Sequence, residues 1–373
     1  MISGERGLVG FEATALELRN RSGVGHYTAQ LLGGLVQRGG WRYALLTSRP
    51  PAGRIPQGVV IPPQRHFPNR SLWVQLVLPR IVARLHPRLC HFTNSVAPLA
   101  LSCPFVVTVY DMCLFLFPRL QPRKSLLSVR SILPYVARKA SAIITISHSA
   151  RRDILRVLKV PAQKVHVVYA AAADEYRMIE DAAELERARR KYRLDTPFFL
   201  AVSTVEPRKN LSGLIKALAK LRRRGRKEQL ILAGQLGWRY RPLLRQIEQS
   251  GLKDTVRLLG YVPDRDLPAI YNLARAVAFP SFYEGFGLPI VEAMACGTPV
   301  LTSNRSSMAE VGEGAALLVD PSSEDEIEQG MLRLVTEESL RAELRAAGLA
   351  RAAQFSWARA AEETAAVYGM AVP

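Results

Sequence analysis

The sequence is poor in cysteine and histidine, and neither residue type is spaced for a metal site. The 373 residues include 4 Cys and 6 His. No two cysteines form a C-x-x-C pair, and the histidines show no zinc-ligand spacing. The start of the chain also lacks the basic and apolar regions of a secretory signal. We therefore expect free thiols, a cytoplasmic location and no metal cofactor.

The sequence also lacks an uninterrupted apolar run that could cross a bilayer. An uncharged stretch at residues 92–110 approaches the required length. Four residues interrupt it: Asn94, Pro98, Ser102 and Pro104. Its apolar ends, 89–93 and 105–109, predict two buried strands joined by a loop rather than a transmembrane helix.

Acidic residues are scarce in the first half of the chain. Residues 1–172 hold 23 Lys and Arg against 5 Asp and Glu, whereas residues 173–373 hold 28 against 27. The first half therefore carries nearly all of the net charge of +19. Such a basic body indicates an anionic partner, and nucleic acid is one candidate. No interleaving of basic and aromatic residues marks a base-stacking surface, so we expect no nucleic-acid partner.

No G-x-G-x-x-G motif opens either half, which disfavours a dinucleotide-dependent oxidoreductase. Short apolar runs instead alternate with helical patterns throughout, as is typical of an α/β protein with parallel sheets. Eleven segments predict strands: Tyr43–Ser48, Leu89–Thr93, Phe105–Asp111, Ala142–Ser147, Val165–Tyr169, Phe198–Thr204, Gln229–Gly234, Val256–Tyr261, Ala276–Ser281, Pro299–Ser303 and Ala315–Asp320.

One polar and highly charged stretch, residues 174–193, gives no strand signal. We place the connection between two domains there. The predicted domains are 1–172 and 173–355, and an amphipathic helix over 356–369 follows the last strand.

The segment 281–300 contains the most informative motif. A predicted strand ends at Ser281, Gly285 and Gly287 form a turn, and Pro289 suits the first position of a helix. Glycines let the backbone approach a ligand closely, and a helix N-terminus offers free N–H groups to an anion. The segment therefore predicts a turn that can hold a diphosphate without a metal.

Two glutamates flank this turn, Glu284 before it and Glu292 inside the helix. Like charges repel, so both cannot face the phosphates. Carboxylates are better suited to accept hydrogen bonds from hydroxyl groups, one from a sugar and the other from a ribose. The alternative is an ordinary strand–turn–helix with two solvated glutamates.

A second motif, residues 202–210, lies at the end of another predicted strand. Arg208 and Lys209 precede Asn210, a good N-cap for a helix through Leu221. Basic residues at a helix N-terminus are unfavourable, because they face the positive end of the helix dipole. The arrangement becomes favourable when an anion lies between the basic residues and the helix end. A solvated basic loop is the alternative.

These motifs resemble those of the family 4 glycosyltransferases, which have the GT-B fold. The resemblance rests on "PSFYEGFGLPIVEAMACGTPV", with its Glu-x7-Glu pair, and on "VEPRKN" and "LLGYVPDRDL". Weaker matches in the first half are "RSGVGHY", "TVYDM" and "AIITISHSARRDIL". The resemblance implies two Rossmann-like domains facing across a cleft. The first would bind the acceptor, the second the nucleotide sugar, and the segment 356–373 would cross back to the first.

The resemblance also implies a retaining sugar transfer and a role for each motif residue. Arg208 and Lys209 would neutralise the leaving diphosphate, Glu292 would hold the ribose and Glu284 the donor sugar. The amides of Phe286, Gly287 and Leu288 would contact sugar and phosphate.

Gly23 and Gly25 would approach the phosphates from the first domain, although an ordinary glycine turn fits them equally well. Asp111, in the strand-end motif, is the remaining candidate catalytic residue.

The chain departs from the family pattern at three places. Tyr110 precedes Asp111 where many relatives have His, His26 stands where relatives often have Arg, and residues 170–173 are all alanine.

Asp264 and Asp266 spell the D-x-D of metal-dependent glycosyltransferases, but they precede a predicted helix, so N-capping is the expected role.

From the resemblance we expect a hexose donor, with GDP-mannose as the best candidate, and a glycan or lipid-linked acceptor in envelope polysaccharide or glycolipid synthesis. A GT-B enzyme that hydrolyses or epimerises sugar nucleotides is the nearer alternative. A basic nucleic-acid-binding protein is the alternative from another class.

The charge asymmetry further predicts docking of the first domain at an anionic membrane surface, at the inner face of the cell membrane. An apolar segment at 113–118 precedes a group of basic residues: Arg123, Lys124, Arg130, Arg138 and Lys139. The segment 72–85 predicts a helix with an interfacial face: Trp73, Leu76, Val77, Arg80, Ile81 and Arg84. For each segment, apolar core residues with solvated arginines are an equally good interpretation.

Overall fold

The computed structural model describes residues 7–18, 20, 22–63, 67, 69–121 and 123–372, with the backbone alone for 123–128. The chain forms two compact units. The first runs to Ala170 and resumes at Ser356, and the second is Ala171–Phe355.

The first unit contains a six-stranded parallel sheet in the order β2-β1-β3-β4-β5-β6. Its strands are β1 Leu8–Glu12, β2 Arg42–Leu46, β3 Leu89–Phe92, β4 Phe105–Thr108, β5 Ala142–Thr145 and β6 Val165–Val167. The five strands predicted in this half are present, and β1 is an additional strand that the sequence analysis missed.

The helices of the first unit are α1 Gly23–Arg38, α2 Arg70–Leu72, α3 Leu78–Leu85, α4 Cys113–Leu116, α5 Arg123–Lys139, α6 His148–Leu158 and α15 Trp357–Ala371. A π-helical segment, Trp73–Val77, joins α2 to α3, and 3-10 turns occur at Thr14–Glu17, Pro118–Leu120 and Ala162–Lys164.

The C-terminal helix α15 packs in the first unit. Ser356 caps it by accepting from the Arg359 amide. Small residues bring α15 close to α1, since a Cβ on Gly34 would lie 3.0 Å from the Trp357 carbonyl oxygen. The buried Tyr368 hydroxyl lies 2.7 Å from Nδ1 of His91 on β3. The predicted return of the C-terminal segment to the first domain is therefore confirmed.

The second unit contains another six-stranded parallel sheet, in the order β12-β11-β10-β7-β8-β9. Its strands are β7 Phe198–Val202, β8 Gln229–Ala233, β9 Val256–Gly260, β10 Ala276–Phe279, β11 Val300–Ser303 and β12 Leu317–Val319. All six match predicted segments, which confirms the α/β class with two parallel sheets.

The helices of the second unit are α7 Ala182–Tyr192, α8 Leu211–Arg223, α9 Arg241–Gln249, α10 Leu267–Leu273, α11 Leu288–Ala295, α12 Ser306–Val311, α13 Glu324–Thr336 and α14 Glu338–Ala352. A 3-10 turn covers Pro207–Lys209. The charged stretch 174–193 lies in this unit and carries α7, and the two units divide at Ala170.

The strand order of the second sheet reverses between β7 and β10. From β7 the chain proceeds to β8 and β9 on one side, and from β10 to β11 and β12 on the other. Ligands of doubly wound folds bind beyond the carboxyl ends of strands at such a switch point. The two loops at this point are residues 203–210 and 280–287, which contain the two motifs of the second half.

The uncharged run 92–110 forms the end of β3, a connecting loop and β4. Across the described part of the chain, no helix has the length and hydropathy that a membrane crossing requires. All four cysteines are free thiols, and Sγ of Cys90 lies 3.5 Å from Sγ of Cys103.

Candidate active site

The turn between β10 and α11 has the backbone geometry that its glycines predicted. Gly287 takes φ 102° at the N-cap of α11, a conformation that L side chains rarely adopt. A Cβ there would also lie 2.9 Å from Cδ1 of Ile290. Pro289 occupies the second helical position rather than the predicted first, because α11 begins at Leu288.

Two serines of α12 fix this turn, and the sequence analysis did not identify them. Ser307 Oγ donates to the carbonyls of Glu284, at 2.9 Å, and Phe286, at 3.0 Å. The Glu284 amide donates to Ser306 Oγ at 3.1 Å. The backbone around Glu284 is therefore held independently of its side chain.

The second motif forms the 3-10 turn Pro207–Lys209, followed by Asn210 in the left-handed region at φ 53°. The Asn210 side chain does not cap α8, contrary to the prediction. Its Nδ2 instead donates to the carbonyls of Pro280, at 3.1 Å, and Pro321, at 2.7 Å. Asn210 thus joins the loops that follow β10 and β12 to the start of α8.

The two motifs meet in a cluster of ion pairs. Glu284 accepts from Arg208 Nη1 at 2.5 Å through one oxygen and from Lys209 Nζ at 2.7 Å through the other. Arg208 also donates to Glu206 Oε1, from Nε at 3.2 Å and from Nη2 at 2.9 Å, and to the Tyr283 carbonyl at 2.9 Å. The sequence reasoning identified Arg208, Lys209 and Glu284 but not their pairing, and it missed Glu206.

The cluster is nearly closed to solvent, since the side chains of Arg208, Lys209 and Glu284 are 15%, 13% and 9% exposed. Burial on its own would raise the pKa of the Glu284 carboxyl, but the charges of Arg208 and Lys209 hold that pKa below its usual range. Burial, together with the Arg208 charge, lowers the pKa of the Lys209 ammonium despite its pairing with Glu284. Glu284 is therefore a carboxylate at neutral pH, and it pairs with both basic residues that precede α8.

A second carboxyl group, Glu292, lies on α11 among aromatic residues. Its Oε2 accepts from the hydroxyl of the buried Tyr271 at 2.7 Å, and the Tyr176 ring contacts the Tyr271 ring at 5.8 Å. Burial, helped by the negative charges of Asp264 and Glu175, raises the pKa of Glu292 to about 7. The sequence analysis missed both tyrosines, which come from a helix and a loop outside the recognised motifs.

The aspartates of the D-x-D string have separate partners. Asp266 stands before α10 but does not cap it, because its Oδ2 accepts from Lys191 Nζ at 2.6 Å and from the Tyr192 hydroxyl at 2.7 Å. The N-capping prediction is therefore wrong for Asp266, which instead joins α10 to the end of α7. Within the described ranges, no group of three or more His, Cys, Asp or Glu residues could hold a metal ion.

Two family models match the chain, one in each half. The model of "Glycosyl transferases group 1" matches residues 183–351, and that of "Glycosyltransferase Family 4" matches residues 21–174. O-antigen chain mannosyltransferase B of Escherichia coli is 37% identical over 265 residues, which cover 70% of this chain and 69% of that protein. The chain belongs to the family 4 glycosyltransferases.

Two further proteins resemble this family 4 glycosyltransferase. The serotype-specific mannosyltransferase WbdA of Escherichia coli is 34% identical over 60% of this chain, a match that spans 28% of WbdA. The structure of Anabaena Alr3699/HepE in complex with UDP-glucose has a TM-score of 0.76 at 18% identity, over 98% of this chain and 100% of that one. The latter similarity shows the GT-B fold.

The candidate residues of the glycosyltransferase's first unit lie at two helix starts. Gly23 and Gly25 belong to the first turn of α1 and not to an ordinary glycine turn before it. A Cβ on Gly23 would meet nothing within 4 Å. Asp111 Oδ1 accepts from the Cys113 amide at 2.8 Å, at the beginning of α4.

The predicted interfacial helix is partly a core helix. Trp73 is fully buried, and Val77 and Ile81 pack against the hydrophobic core of the first unit. Leu76 is exposed, as is Leu72 one turn earlier. The remaining predicted members, Arg80 and Arg84, are exposed, and the side chains of Arg123 and Lys124 lie outside the described residues.

Proposed function

We propose that this glycosyltransferase transfers mannose from GDP-mannose, with retention of configuration, to a glycan or lipid-linked acceptor in envelope polysaccharide synthesis. The cluster of Arg208, Lys209 and Glu284 at the switch point carries the proposal, because its two basic side chains converge where a diphosphate would bind. The names of the two similar Escherichia coli proteins support mannose as the sugar. The UDP-glucose complex of the similar Anabaena protein supports a nucleotide-sugar donor.

In this proposal the donor diphosphate lies between the basic pair and the N-terminus of α11. Arg208 and Lys209 stabilise the negative charge that grows on the leaving diphosphate, and the amides of Phe286, Gly287 and Leu288 donate to phosphate and sugar. Glu292 accepts from the ribose hydroxyls, and Glu284 accepts from the sugar. Gly23 and Gly25 keep the donor-binding role implied by the family resemblance, and Asp111 remains a candidate catalytic residue. An oxygen of the departing phosphate serves as the base for the acceptor hydroxyl.

A panel of nucleotides tests the donor. We expect GDP to raise the melting temperature more than UDP, dTDP or ADP does, since only ligands that bind the native state stabilise it. Product analysis with GDP-mannose, with and without a mannose-containing acceptor, then separates transfer from hydrolysis or epimerisation. Stabilisation by UDP alone would contradict the GDP-mannose assignment, and stabilisation by DNA alone would support the nucleic-acid alternative.

Metal independence is the first prediction of this function. Arg208 and Lys209 supply the positive charge that a divalent metal supplies in other glycosyltransferases. Asp266 already forms an ion pair with Lys191. We expect initial rates to be unchanged in millimolar EDTA. Loss of activity in EDTA with recovery in Mn²⁺ would show that the D-x-D string binds a metal.

Membrane docking is the second prediction, and it rests on an exposed apolar patch of the first unit. We define the docking patch as Leu72, Leu76, Leu99 and Tyr135, which are 47%, 49%, 48% and 39% exposed. Their segments are neighbours, because Gln75 accepts from the Leu99 amide at 2.9 Å and Tyr135 donates to the Leu99 carbonyl at 3.4 Å. Scattered exposed leucines are ordinary, but a group on neighbouring segments is a candidate interface.

Basic side chains accompany the docking patch. Arg80 donates to the Leu76 carbonyl, and Lys139 Nζ lies 5.9 Å from the centre of the Tyr135 ring. Each basic residue near an anionic leaflet contributes about 1 kcal/mol, and apolar side chains add to that binding. An anionic leaflet therefore fits this surface, and it would carry a lipid-linked acceptor.

Liposome sedimentation tests this docking. We expect the protein to sediment with anionic liposomes at low salt, to stay free with neutral ones, and to be released as salt rises. Leu76→Ser with Leu99→Ser should weaken the binding, whereas Leu236→Ser, at a 50% exposed leucine of the second unit, should not. Equal indifference to both kinds of liposome would favour a soluble acceptor.

A further inference from the structure

The Arg208 guanidinium divides its donors between two carboxylates. One edge, formed by Nε and Nη2, donates to a single oxygen of Glu206. The other terminal nitrogen, Nη1, donates to Glu284 and to the Tyr283 carbonyl. Glu206 therefore holds the guanidinium through two nitrogens, and Glu284 holds it through one.

The two carboxylates differ in their attachment to the chain. Glu206 is the N-cap residue of the 3-10 turn that carries Arg208, two positions away in sequence. Glu284 belongs to the separate turn after β10, and its backbone is fixed by the serines of α12. A contact within one short turn is retained when the neighbouring segment rearranges. The Glu206 contact is thus intrinsic to the turn, and the Glu284 contact is an exchangeable one.

The charges of the cluster make such an exchange necessary when a diphosphate binds. Arg208 and Lys209 are balanced by Glu206 and Glu284, so the cluster is neutral before the donor arrives. A sugar nucleotide carries a negative charge on each phosphate, and a carboxylate close to that charge repels it. The diphosphate can bind Arg208 and Lys209 only where Glu284 gives up its contacts with them. Glu206, on the far edge of Arg208, keeps its contacts throughout.

We propose that Glu206 is the positioning residue for Arg208, and that it holds the guanidinium in place while Nη1 passes from Glu284 to the donor diphosphate. This inference rests on the proposed function, because it assumes that Arg208 meets a diphosphate. Glu206 acts through Arg208 and touches neither the sugar nor the reacting atoms. Its contribution is to fix the donor group before charge develops on the leaving phosphate, so that no reorganisation is needed in that step.

Three substitutions at Glu206 separate position from charge. Glu206→Gln keeps an oxygen acceptor at the same reach, Glu206→Asp keeps the charge but shortens the chain, and Glu206→Ala removes the acceptor. We expect kcat to fall on the order of tenfold or more in Glu206→Ala and in Glu206→Asp, and to stay within about threefold of wild type in Glu206→Gln. Equal losses in the Gln and Ala variants would overturn a positioning role.

A double-mutant cycle with Arg208→Ala tests whether Glu206 acts through Arg208. In the Arg208→Ala background, Glu206→Ala should cause no further loss of kcat, since the group that it positions is gone. Glu337→Ala, which breaks an exposed pair with Arg333 in the same unit, is the matched control and should leave kcat unchanged. Independent, multiplicative losses in the cycle would overturn the proposal.

The outcomes also separate this inference from the proposed function. Full activity of Glu206→Ala beside an impaired Arg208→Ala would overturn the positioning role alone. Full activity of both would overturn the assignment of Arg208 to the diphosphate. Circular dichroism of each variant at the assay temperature confirms that a loss of kcat is not a loss of folded protein.

Discussion

Replacing Arg208 or Lys209 with alanine should lower kcat on the order of 100-fold, and replacing both should lower it further. The leaving diphosphate gains negative charge as the bond to the sugar breaks, and a preorganised cation in a water-poor site stabilises that charge strongly. The two side chains are mostly buried and converge on Glu284. We therefore expect the losses to appear in kcat more than in KM, measured by steady-state transfer from GDP-mannose.

Folding stability must be controlled in this experiment, because the double variant leaves Glu284 buried without its cations. An unpaired buried carboxylate is destabilising, so the melting temperature should fall. Adding Glu284→Gln to the double variant removes that charge and should restore part of the stability without restoring kcat. Lys216→Ala on α8, which breaks a half-exposed pair with Glu324 of α13, is a control that should leave kcat unchanged. Near-normal turnover in the folded double variant would contradict the diphosphate assignment.

The sequence predicted the sheets well because each strand is a short apolar run between helical patterns. The missed strand, β1, shows the limit of that signal. Gly10 interrupts its apolar pattern, and Glu12 ends it with a charge. Position 10 requires glycine, because a Cβ there would lie 2.9 Å from Cys90 Sγ. Glu12 can be buried because Thr14 and Thr93 donate hydrogen bonds to its carboxylate. Both reasons lie in the packing of neighbouring strands, which a local pattern does not contain.

The site motifs were recognisable, but their contacts were not. Arg208 and Glu284 are 76 residues apart, and they meet because β7 and β10 are adjacent in the sheet. Strand order is a property of the whole fold, so neither motif could indicate its partner. The same reason explains Asn210, a residue favoured at N-caps, whose side chain instead joins two distant loops.

The interfacial prediction failed in part for a related reason. An amphipathic pattern gives the apolar face of a helix but not the surface that covers it. In the segment 72–85 the large apolar residues cover the core, as Trp73 does, and the leucines at positions 72 and 76 are left outside. The docking patch therefore depends on which face of the segment is buried, and the sequence pattern does not contain that information.

Replacing Glu292 should have the second large effect on activity, and the pKa of its carboxyl group sets the direction of the pH dependence. Burial raises the pKa of Glu292 to about 7, so the protonated form is favoured in the ligand-free protein below that pH. The ribose hydroxyls bind best as donors to the carboxylate. We expect Glu292→Ala to lower kcat/KM for the donor by roughly 100-fold, because the buried polar groups on both sides lose their partner.

The pH dependence distinguishes this role from a structural one. In the wild-type enzyme, kcat/KM for the donor should decline as the pH falls through about 7, where Glu292 takes up a proton. Glu292→Gln cannot ionise, so its lower kcat/KM should lack this inflection. The ribose role would be contradicted by a wild-type profile that is flat from about pH 5.5 to about pH 8, a range that includes the pKa of about 7.

Stability should change in the opposite direction to activity. A carboxyl group whose pKa is higher in the folded than in the unfolded chain favours folding when protonated, and this contribution is lost as the pH rises through the folded pKa. Ligand-free Glu292→Gln should therefore melt higher than wild type at a pH above about 7, and the difference should shrink toward acidic pH. Saturating GDP should reverse the order above that pH, since the nucleotide stabilises the protein whose carboxylate it binds. A Glu292→Gln variant that gains as much from GDP as wild type does would show that the ribose is held elsewhere.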